Sequence, residues 1–178
     1  TDLAAESRAL WQESAGNTAE LAGVAARDYR RRGFPVTRVE ILDGRGAQAL
    51  GKPVGTYTTV DLRPYFQDRS QQFAPAAEAL AEELRPLLPE EGAVFVAGLG
   101  NAAMTPDAIG PAAVGHLLIT RHLGEAVPAL RPVAGAAAGV LGTTGMEAAE
   151  WVRGMAERVE PAAVLVIDAL AARGLERL

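Results

Sequence analysis

The stretch AVFVAGLGNAAMTPDAIGP, residues 93–111, predicts a strand, a glycine turn and a helix start in succession. It opens with mostly apolar residues that predict a buried strand, and the glycine turn GLG follows. Thr105-Pro106 then predicts a helix start near Asp107, because Thr is a frequent helix cap and Pro fits the first helical turn. A strand, a glycine turn and a helix in this order predict one βα unit of a parallel sheet.

Two further segments follow the same pattern toward the C-terminus. Residues 133–137 predict a strand that leads into the glycine-rich loop 139–145, and residues 164–167 predict a strand that ends at Asp168. Helices are predicted between these strands, and such alternation is typical of a parallel sheet covered on both faces. The sequence therefore predicts a single α/β domain over residues 1–178, in three layers, with a mostly parallel sheet and helices on both faces.

The first half of the chain gives weaker patterns. Residues 3–32 are rich in Ala with scattered charges, which favours one or two helices, and Gly33 fits a helix C-cap. Apolar and polar residues alternate over 36–42, and β-branched and aromatic residues fill 55–62, so both segments predict strands. Residues 75–88 carry apolar side chains at helical spacing.

Composition excludes several classes of function. The chain has 178 residues, a formal net charge of −5 and no cysteine, which excludes disulfides, thiolate catalysis and cysteine-bound metals. The chain is acidic, and its one dense basic run, Arg30–Arg32, fits a solvated helix end, which argues against direct nucleic-acid binding. No apolar run reaches the roughly 18 residues of a membrane span, and no secretory signal is visible, so we expect no membrane association.

Asp107 and Asp168 are the candidate catalytic residues, because ligands of open α/β sheets bind at the carboxyl ends of strands. For Asp107 the alternative is a first-turn acid favoured by the helix dipole. Asp168 ends an aliphatic run, where a buried carboxylate is costly unless it is paired or hydrogen-bonded. The sequence leaves the structural and the functional role open for each.

A carboxylate pair would have a defined chemistry if the two strand ends are neighbours. Two close carboxylates do not both ionise easily, so one of them carries a proton. The ionised group can then act as a base toward water while the protonated group polarises a carbonyl.

Other motifs fit less well. The GxGxxG pattern of dinucleotide sites fails at Ala103, and the only lysine, Lys52, lies far upstream of the glycine turn. His116 and His122 are six residues apart in a predicted helix, which is poor spacing for a metal pair. Glu147 follows the second glycine-rich loop and fits either a first-turn acid or a site residue.

Taken in order, six motifs resemble the spore germination protease family. They are TDLA (1–4), GLGN (98–101), TPDAIGP (105–111), LLITRHL (117–123), GVLGTTGMEAAE (139–150) and VIDALAARGLER (166–177). Each motif alone is weak, but their joint order and spacing are specific.

The resemblance implies an endopeptidase that degrades small acid-soluble spore proteins during germination, in the cytoplasm of the forespore or spore core. It implies an atypical aspartic mechanism on Asp107 and Asp168 without a cofactor, a homotetramer, and a phosphorylase/hydrolase-like fold similar to that of hydrogenase-maturation peptidases. The residues expected to contact substrate are Gly98, Gly100, Asn101, Gly142, Thr144, Gly145 and Glu147.

The N-terminus also fits the family, which is made as a zymogen that cuts itself within a TDLA-like segment. The resemblance places the processing bond between Asp2 and Leu3; an ordered helix start is the alternative. The family chain is about twice as long, so the sequence resembles its N-terminal half and the second half is absent.

Two alternatives stay open at this point. One is a metal-dependent peptidase of the maturation type, with Asp107, Asp168 and His122 as ligands. The other is a truncated, inactive domain that serves assembly only.

Overall fold

The computed structural model describes residues 3–15 and 21–170. Its contacts divide the chain into two compact units, one within the residues up to Leu87 and one formed by Leu88–Leu170, and each is described by itself. The assignment of residues 1–178 to one domain stays a prediction.

The first unit is built on an antiparallel sheet of β1 (Val24–Arg31), β2 (Phe34–Ile41) and β3 (Gly55–Val60), in the order β1-β2-β3. Its helices are α1 (Ala4–Ala15), α2 (Gly44–Leu50), α3 (Arg63–Gln67) and α4 (Arg69–Leu84), followed by the 3₁₀ turn Arg85–Leu87. The strands predicted over 36–42 and 55–62 are confirmed.

The side chains of β2 alternate between the two faces of the sheet. Helices pack against both faces, so the strand contributes to two clusters. Val39 and Ile41 pack with residues of α1 and α2, including Ala4 and Leu50. On the other face Phe34 is fully buried against Ala76 and Ala79 of α4. The alternation seen in the sequence therefore marks two buried faces of the strand.

The predicted helix over residues 3–32 is wrong in its second half, where the structure has β1. Arg32 and Gly33 form a two-residue hairpin turn with φ of 51° and 90°, so Gly33 lies in a turn and does not cap a helix. Such turns match the twist of paired strands, and glycine accepts the positive φ without strain. The sheet of this unit is antiparallel, so a mostly parallel sheet is wrong for the first half of the chain.

The second unit contains a parallel sheet of β4 (Val94–Leu99), β5 (Val133–Gly139) and β6 (Ala163–Ile167), in the order β5-β4-β6. The three predicted strands are confirmed. The helices of the unit are α5 (Ile109–Gly115), α6 (Leu141–Thr144) and α7 (Ala148–Val159), with 3₁₀ turns at Thr105–Asp107 and Arg121–Ala126.

Helices α5 and α7 contact opposite faces of β4. Gly98 lies against α5, where an added Cβ would come within 2.9 Å of Val114 Cγ2. Phe95 is 2% exposed and its ring centroid lies 6.1 Å from that of Trp151 in α7.

One face of β6 is less buried than its aliphatic sequence predicts. Val164 pairs in register with Phe95, so its side chain points to the same side of the sheet as Phe95. Helix α7 packs on β5 and β4, and Val164 and Val166 remain 40% and 45% exposed. The prediction of a fully buried strand at 164–167 is therefore wrong for this face.

The helix predicted from Asp107 to Leu123 is shorter in the structure. It ends at Gly115, and the chain then runs to Thr120, whose buried hydroxyl donates to the Arg131 carbonyl and accepts the Val133 N–H. This pairing with the strand entrance competes with helix continuation.

The longest helix in the described ranges, α4, spans 16 residues. None of the helices described there combines the length and the apolar character needed to cross a membrane.

Candidate active site at the carboxyl edge of the parallel sheet

The three parallel strands end at one edge of their sheet, and the candidate residues lie in the segments that follow them. Asp107 follows β4 and Asp168 follows β6 directly. Strands β4 and β6 are hydrogen-bonded neighbours, with Gly98 and Ile167 in register. The two strand ends are therefore neighbours, which is the condition that a carboxylate pair requires.

Asp107 is half-buried and is held by the turn that precedes α5. Its Oδ2 accepts a hydrogen bond of 2.7 Å from the Asn101 N–H, and its own N–H donates to the Met104 carbonyl at 2.8 Å. Asn101 is fixed in turn, because its Oδ1 accepts the Ala103 N–H at 2.9 Å. The carboxylate therefore has a defined orientation.

Gly100 makes this arrangement possible. Its φ of 110° lies in the region that favours glycine. An added Cβ would overlap the carbonyl oxygen of Asp107 and would lie 2.9 Å from Oδ1. A side chain at position 100 would thus displace the carboxylate.

Asp168 lies in a different environment from the one that the sequence suggested. It is exposed, and its Oδ1 accepts the N–H of Ala169 at 2.8 Å. The argument from a costly buried carboxylate does not apply, because β6 is partly exposed and Asp168 emerges at its end.

Gly110 connects the two carboxylate segments. It is buried at the start of α5, where an added Cβ would overlap the Leu99 carbonyl and would lie 2.5 Å from the Ile167 carbonyl oxygen. Gly110, three residues after Asp107, therefore packs against Ile167, the residue that precedes Asp168.

A cleft of about 360 Å³ opens beside the Asp107 turn. Its described lining is made of small or apolar residues together with Asn101 and Thr143: Gly100, Asn101, Ala102, Pro111, Ala137, Ala138, Gly139, Val140 and Thr143. Among the residues that the structure describes, no charged side chain lines the cleft, so it suits the backbone and uncharged side chains of a peptide.

The residues predicted to contact substrate divide between this cleft and structural positions. Gly100 and Asn101 line it. Gly98 is buried in β4 beneath α5, and the close approach of this helix leaves no room for a side chain at position 98. Gly145 ends α6 in a left-handed conformation with φ of 69°, and Glu147 is the N-cap of α7.

The two remaining predicted residues, Gly142 and Thr144, are exposed in α6, and the Thr144 hydroxyl donates to the Val140 carbonyl at 3.1 Å. Sequence reasoning missed Val140 and Thr143, although both lie beside or within the glycine-rich loop that it singled out. The short helix α6 determines which side chains of this loop face the cleft, and no pattern in the sequence predicted it.

The histidines are not part of a metal site in this structure. His116 is the C-cap of α5 and His122 is exposed in the following 3₁₀ turn. Within residues 3–15 and 21–170, no three His, Asp or Glu side chains lie close enough together to hold a metal ion. Asp107, Asp168 and His122 therefore do not form a ligand set here.

Of the predicted processing bond only Leu3 is described; Asp2 lies outside the described residues. The Leu3 carbonyl accepts the Ser7 N–H at 3.1 Å, and the next residue, Ala4, is 2% exposed in the first unit's core. Leu3 also lines a pocket of about 530 Å³ beside β2 and β3.

Comparison with known proteins agrees with the motifs. A family model described as "Germination protease" matches residues 2–178. The chain is 42% identical to a "Germination protease" of Caldanaerobacter subterraneus subsp. tengcongensis, 39% to one of Clostridium tetani and 37% to one of Priestia megaterium. All of this chain is covered, but only 56%, 57% and 51% of those relatives, so it spans about half their length. The chain belongs to the germination protease family.

Proposed function

We propose that this chain is the catalytic part of an endopeptidase that degrades small acid-soluble spore proteins during germination, with Asp107 and Asp168 as the catalytic residues. The observation that carries the proposal is that the two aspartates follow adjacent parallel strands in a chain of the germination protease family. A hydrolytic site needs its acid and base groups within reach of one scissile bond, and adjacent strand ends supply such a framework.

In the proposed mechanism the two carboxyl groups share one proton. The ionised carboxylate takes a proton from water while the water oxygen bonds to the peptide carbonyl carbon. The protonated carboxyl gives its proton to the carbonyl oxygen, which produces a tetrahedral diol. The C–N bond then breaks as the amide nitrogen gains a proton and one diol hydroxyl loses its own, so the pair again holds one proton.

The cleft beside Asp107 is the proposed binding site for the substrate backbone. Gly100 and Asn101 from the turn after β4 and Gly139, Val140 and Thr143 from the end of β5 and the loop after it line this cleft, and none of these side chains is charged. Gly98, Gly142, Thr144, Gly145 and Glu147 are retained as proposed substrate-side residues of the two loops. The substrates are proteins, and the proposal includes no nucleic acid, membrane or cofactor.

Processing of a zymogen between Asp2 and Leu3 is part of the same proposal. The support for it is the TDLA motif at residues 1–4 together with the family match over residues 2–178. Mass spectrometry of a longer precursor that carries Asp2→Ala would reveal a loss of cleavage at this bond.

Three further properties are proposed from the family. They are assembly of the 18.6 kDa chain into a homotetramer, a location in the cytoplasm of the forespore or spore core, and the three-layer phosphorylase/hydrolase-like arrangement. Analytical ultracentrifugation tests the tetramer, and fractionation of germinating spores tests the location.

The test of the activity is digestion of a purified small acid-soluble spore protein by the wild-type chain, Asp107→Asn and Asp168→Asn, each with and without a chelator. We expect cleavage by the wild type in both conditions and none by either variant. Cleavage that survives both substitutions would contradict the aspartic assignment. Cleavage that stops with chelator would favour the metal-dependent alternative, and no cleavage by any form would favour an inactive domain.

A further inference from the structure

We infer that Gly100 and the backbone N–H of Asn101 act together as a positioning device for Asp107, which leaves Oδ1 of that carboxylate as the oxygen that exchanges a proton during hydrolysis. We call these two groups the Asp107 clamp. The inference rests on the proposed function, since it assigns roles to residues that support a catalytic carboxylate.

The first half of the clamp is a hydrogen-bond donor whose orientation is fixed by a turn. The Asn101 N–H donates to Asp107 Oδ2 at 2.7 Å. The peptide that carries it is fixed by a local turn, in which Asn101 Oδ1 accepts the Ala103 N–H and the Asn101 carbonyl accepts the Met104 N–H at 3.0 Å. A short donor bond to a carboxylate of this kind is among the stronger hydrogen bonds in proteins.

The second half of the clamp is the missing side chain of Gly100. An added Cβ would lie 2.9 Å from Oδ1 and 3.1 Å from Cγ of Asp107, besides overlapping its carbonyl oxygen. The carboxylate therefore lies where the Cβ atom of any other residue at position 100 would be. The donor fixes one oxygen, and the glycine allows the whole group to approach the loop.

The two carboxylate oxygens of Asp107 therefore have different roles. Oδ2 is occupied as an acceptor, whereas the described part of the chain offers no donor to Oδ1. Proton exchange therefore takes place at Oδ1. An O–H bond forms there as a water O–H bond breaks, or an O–H bond breaks there as the carbonyl oxygen gains the proton.

Gly100→Ala tests the clamp directly. The displaced carboxylate should lower kcat by about 100-fold, because misplacement of a catalytic group by about 1 Å costs on this order. Gly154→Ala is the matched control, since Gly154 is exposed in α7 and an added Cβ meets no atom within 4 Å. A folded Gly100→Ala protein with the wild-type kcat would overturn the inference.

Two milder variants keep the test informative if Gly100→Ala does not fold. Asn101→Ala removes the acceptor that fixes the turn, and Asn101→Ser keeps a side-chain oxygen that can form the same turn more weakly. We expect kcat to fall in the order wild type, Ser, Ala. Equal kcat for the Ala and Ser variants would contradict the role of the turn.

An NMR readout separates the clamp from the proposed function. The Asn101 amide proton should resonate downfield because it bonds to the Asp107 carboxylate, and this downfield shift should be lost in Gly100→Ala and reduced in Asp107→Asn. If Gly100→Ala loses the shift but the wild-type chain cleaves nothing, the result supports the clamp and counts against the peptidase. Retention of the shift in Gly100→Ala, with cleavage abolished by Asp107→Asn, overturns the clamp and leaves the peptidase intact.

Discussion

A single missing side chain at position 110 determines how closely α5 approaches the ends of β4 and β6. Gly110 is buried, and its backbone lies against the carbonyls of Leu99 and Ile167. The missing side chain of Gly100 likewise allows Asp107 to lie close to the turn after β4. The Gly-x-Gly turn after a strand was visible in the sequence and suggested close backbone approach. What the turn approaches, a carboxylate six residues from Asn101, depends on a hydrogen bond that no spacing rule predicts.

Gly110→Ala should be strongly destabilising. The new methyl group must displace backbone at two strand ends, and overpacking of this kind costs about 1–3 kcal/mol. Gly154→Ala in the exposed middle of α7 should instead stabilise by about 0.5–1 kcal/mol, because Ala is the better helix former. Urea unfolding measures both, and a Gly110→Ala midpoint equal to that of the wild type would contradict the tight packing of α5.

At the scale of elements, a buried carboxylate attaches α4 to the antiparallel sheet. Glu83 accepts hydrogen bonds from the Tyr29 hydroxyl at 2.7 Å, Arg31 Nε at 2.8 Å and Arg38 Nη2 at 2.9 Å. Burial raises the pKa of Glu83, but the hydrogen bonds from Tyr29 and Arg31 and the charges of Arg31 and Arg38 outweigh it and hold that pKa below its usual value. These long-range pairs also explain why β1 was not predicted, because VAARDYRR has no clear alternation and its Tyr29 and Arg31 bind Glu83, 54 and 52 positions away.

Glu83→Gln should therefore lower the free energy of unfolding by about 2–3 kcal/mol at neutral pH, since it weakens charged hydrogen bonds in a buried site. Glu78→Gln is the control, because Glu78 and its partner Arg32 are both about half exposed and such pairs contribute little.

The pH dependence of this effect has a defined sign. A lowered native pKa contributes stability that is fully present above the unfolded value of about 4.5 and is lost as pH falls through the native pKa. The difference between wild type and Glu83→Gln should thus shrink in acid. A difference that stays constant down to pH 3 would contradict the ionised cluster.

Phe95 of β4 and Val166 of β6 share a face of the parallel sheet but differ in burial. Phe95→Ala should cost about 3–5 kcal/mol, because Phe95 is buried against Trp151. Val166→Thr should cost no more than about 0.5 kcal/mol, because Val166 is 45% exposed. The sequence predicted burial for both, since an aliphatic run does not reveal which face a neighbouring helix covers. A large loss for Val166→Thr, seen by thermal unfolding, would show that this face is covered in solution.

At the scale of the whole molecule, local patterns predicted much of the second unit. Three apolar strands, two glycine-rich loops and the two aspartates at strand ends follow from periodicity and turn residues, and the structure makes β4 and β6 neighbours. The antiparallel order of the first unit depends on pairings between distant residues and was not predicted. The exposure of Asp168 was missed for a related reason, because it depends on which elements surround the end of β6.

We propose that Asp107 and Asp168 act as one catalytic unit on one water. The measurement that tests this proposal is kcat for cleavage of a small acid-soluble spore protein by Asp107→Asn, Asp168→Asn and the double variant. Residues that act as a unit are strongly non-additive, so each single change should cost nearly as much as both together. Losses that multiply in the double variant, or wild-type kcat in either single variant, would show that the two carboxylates do not act together.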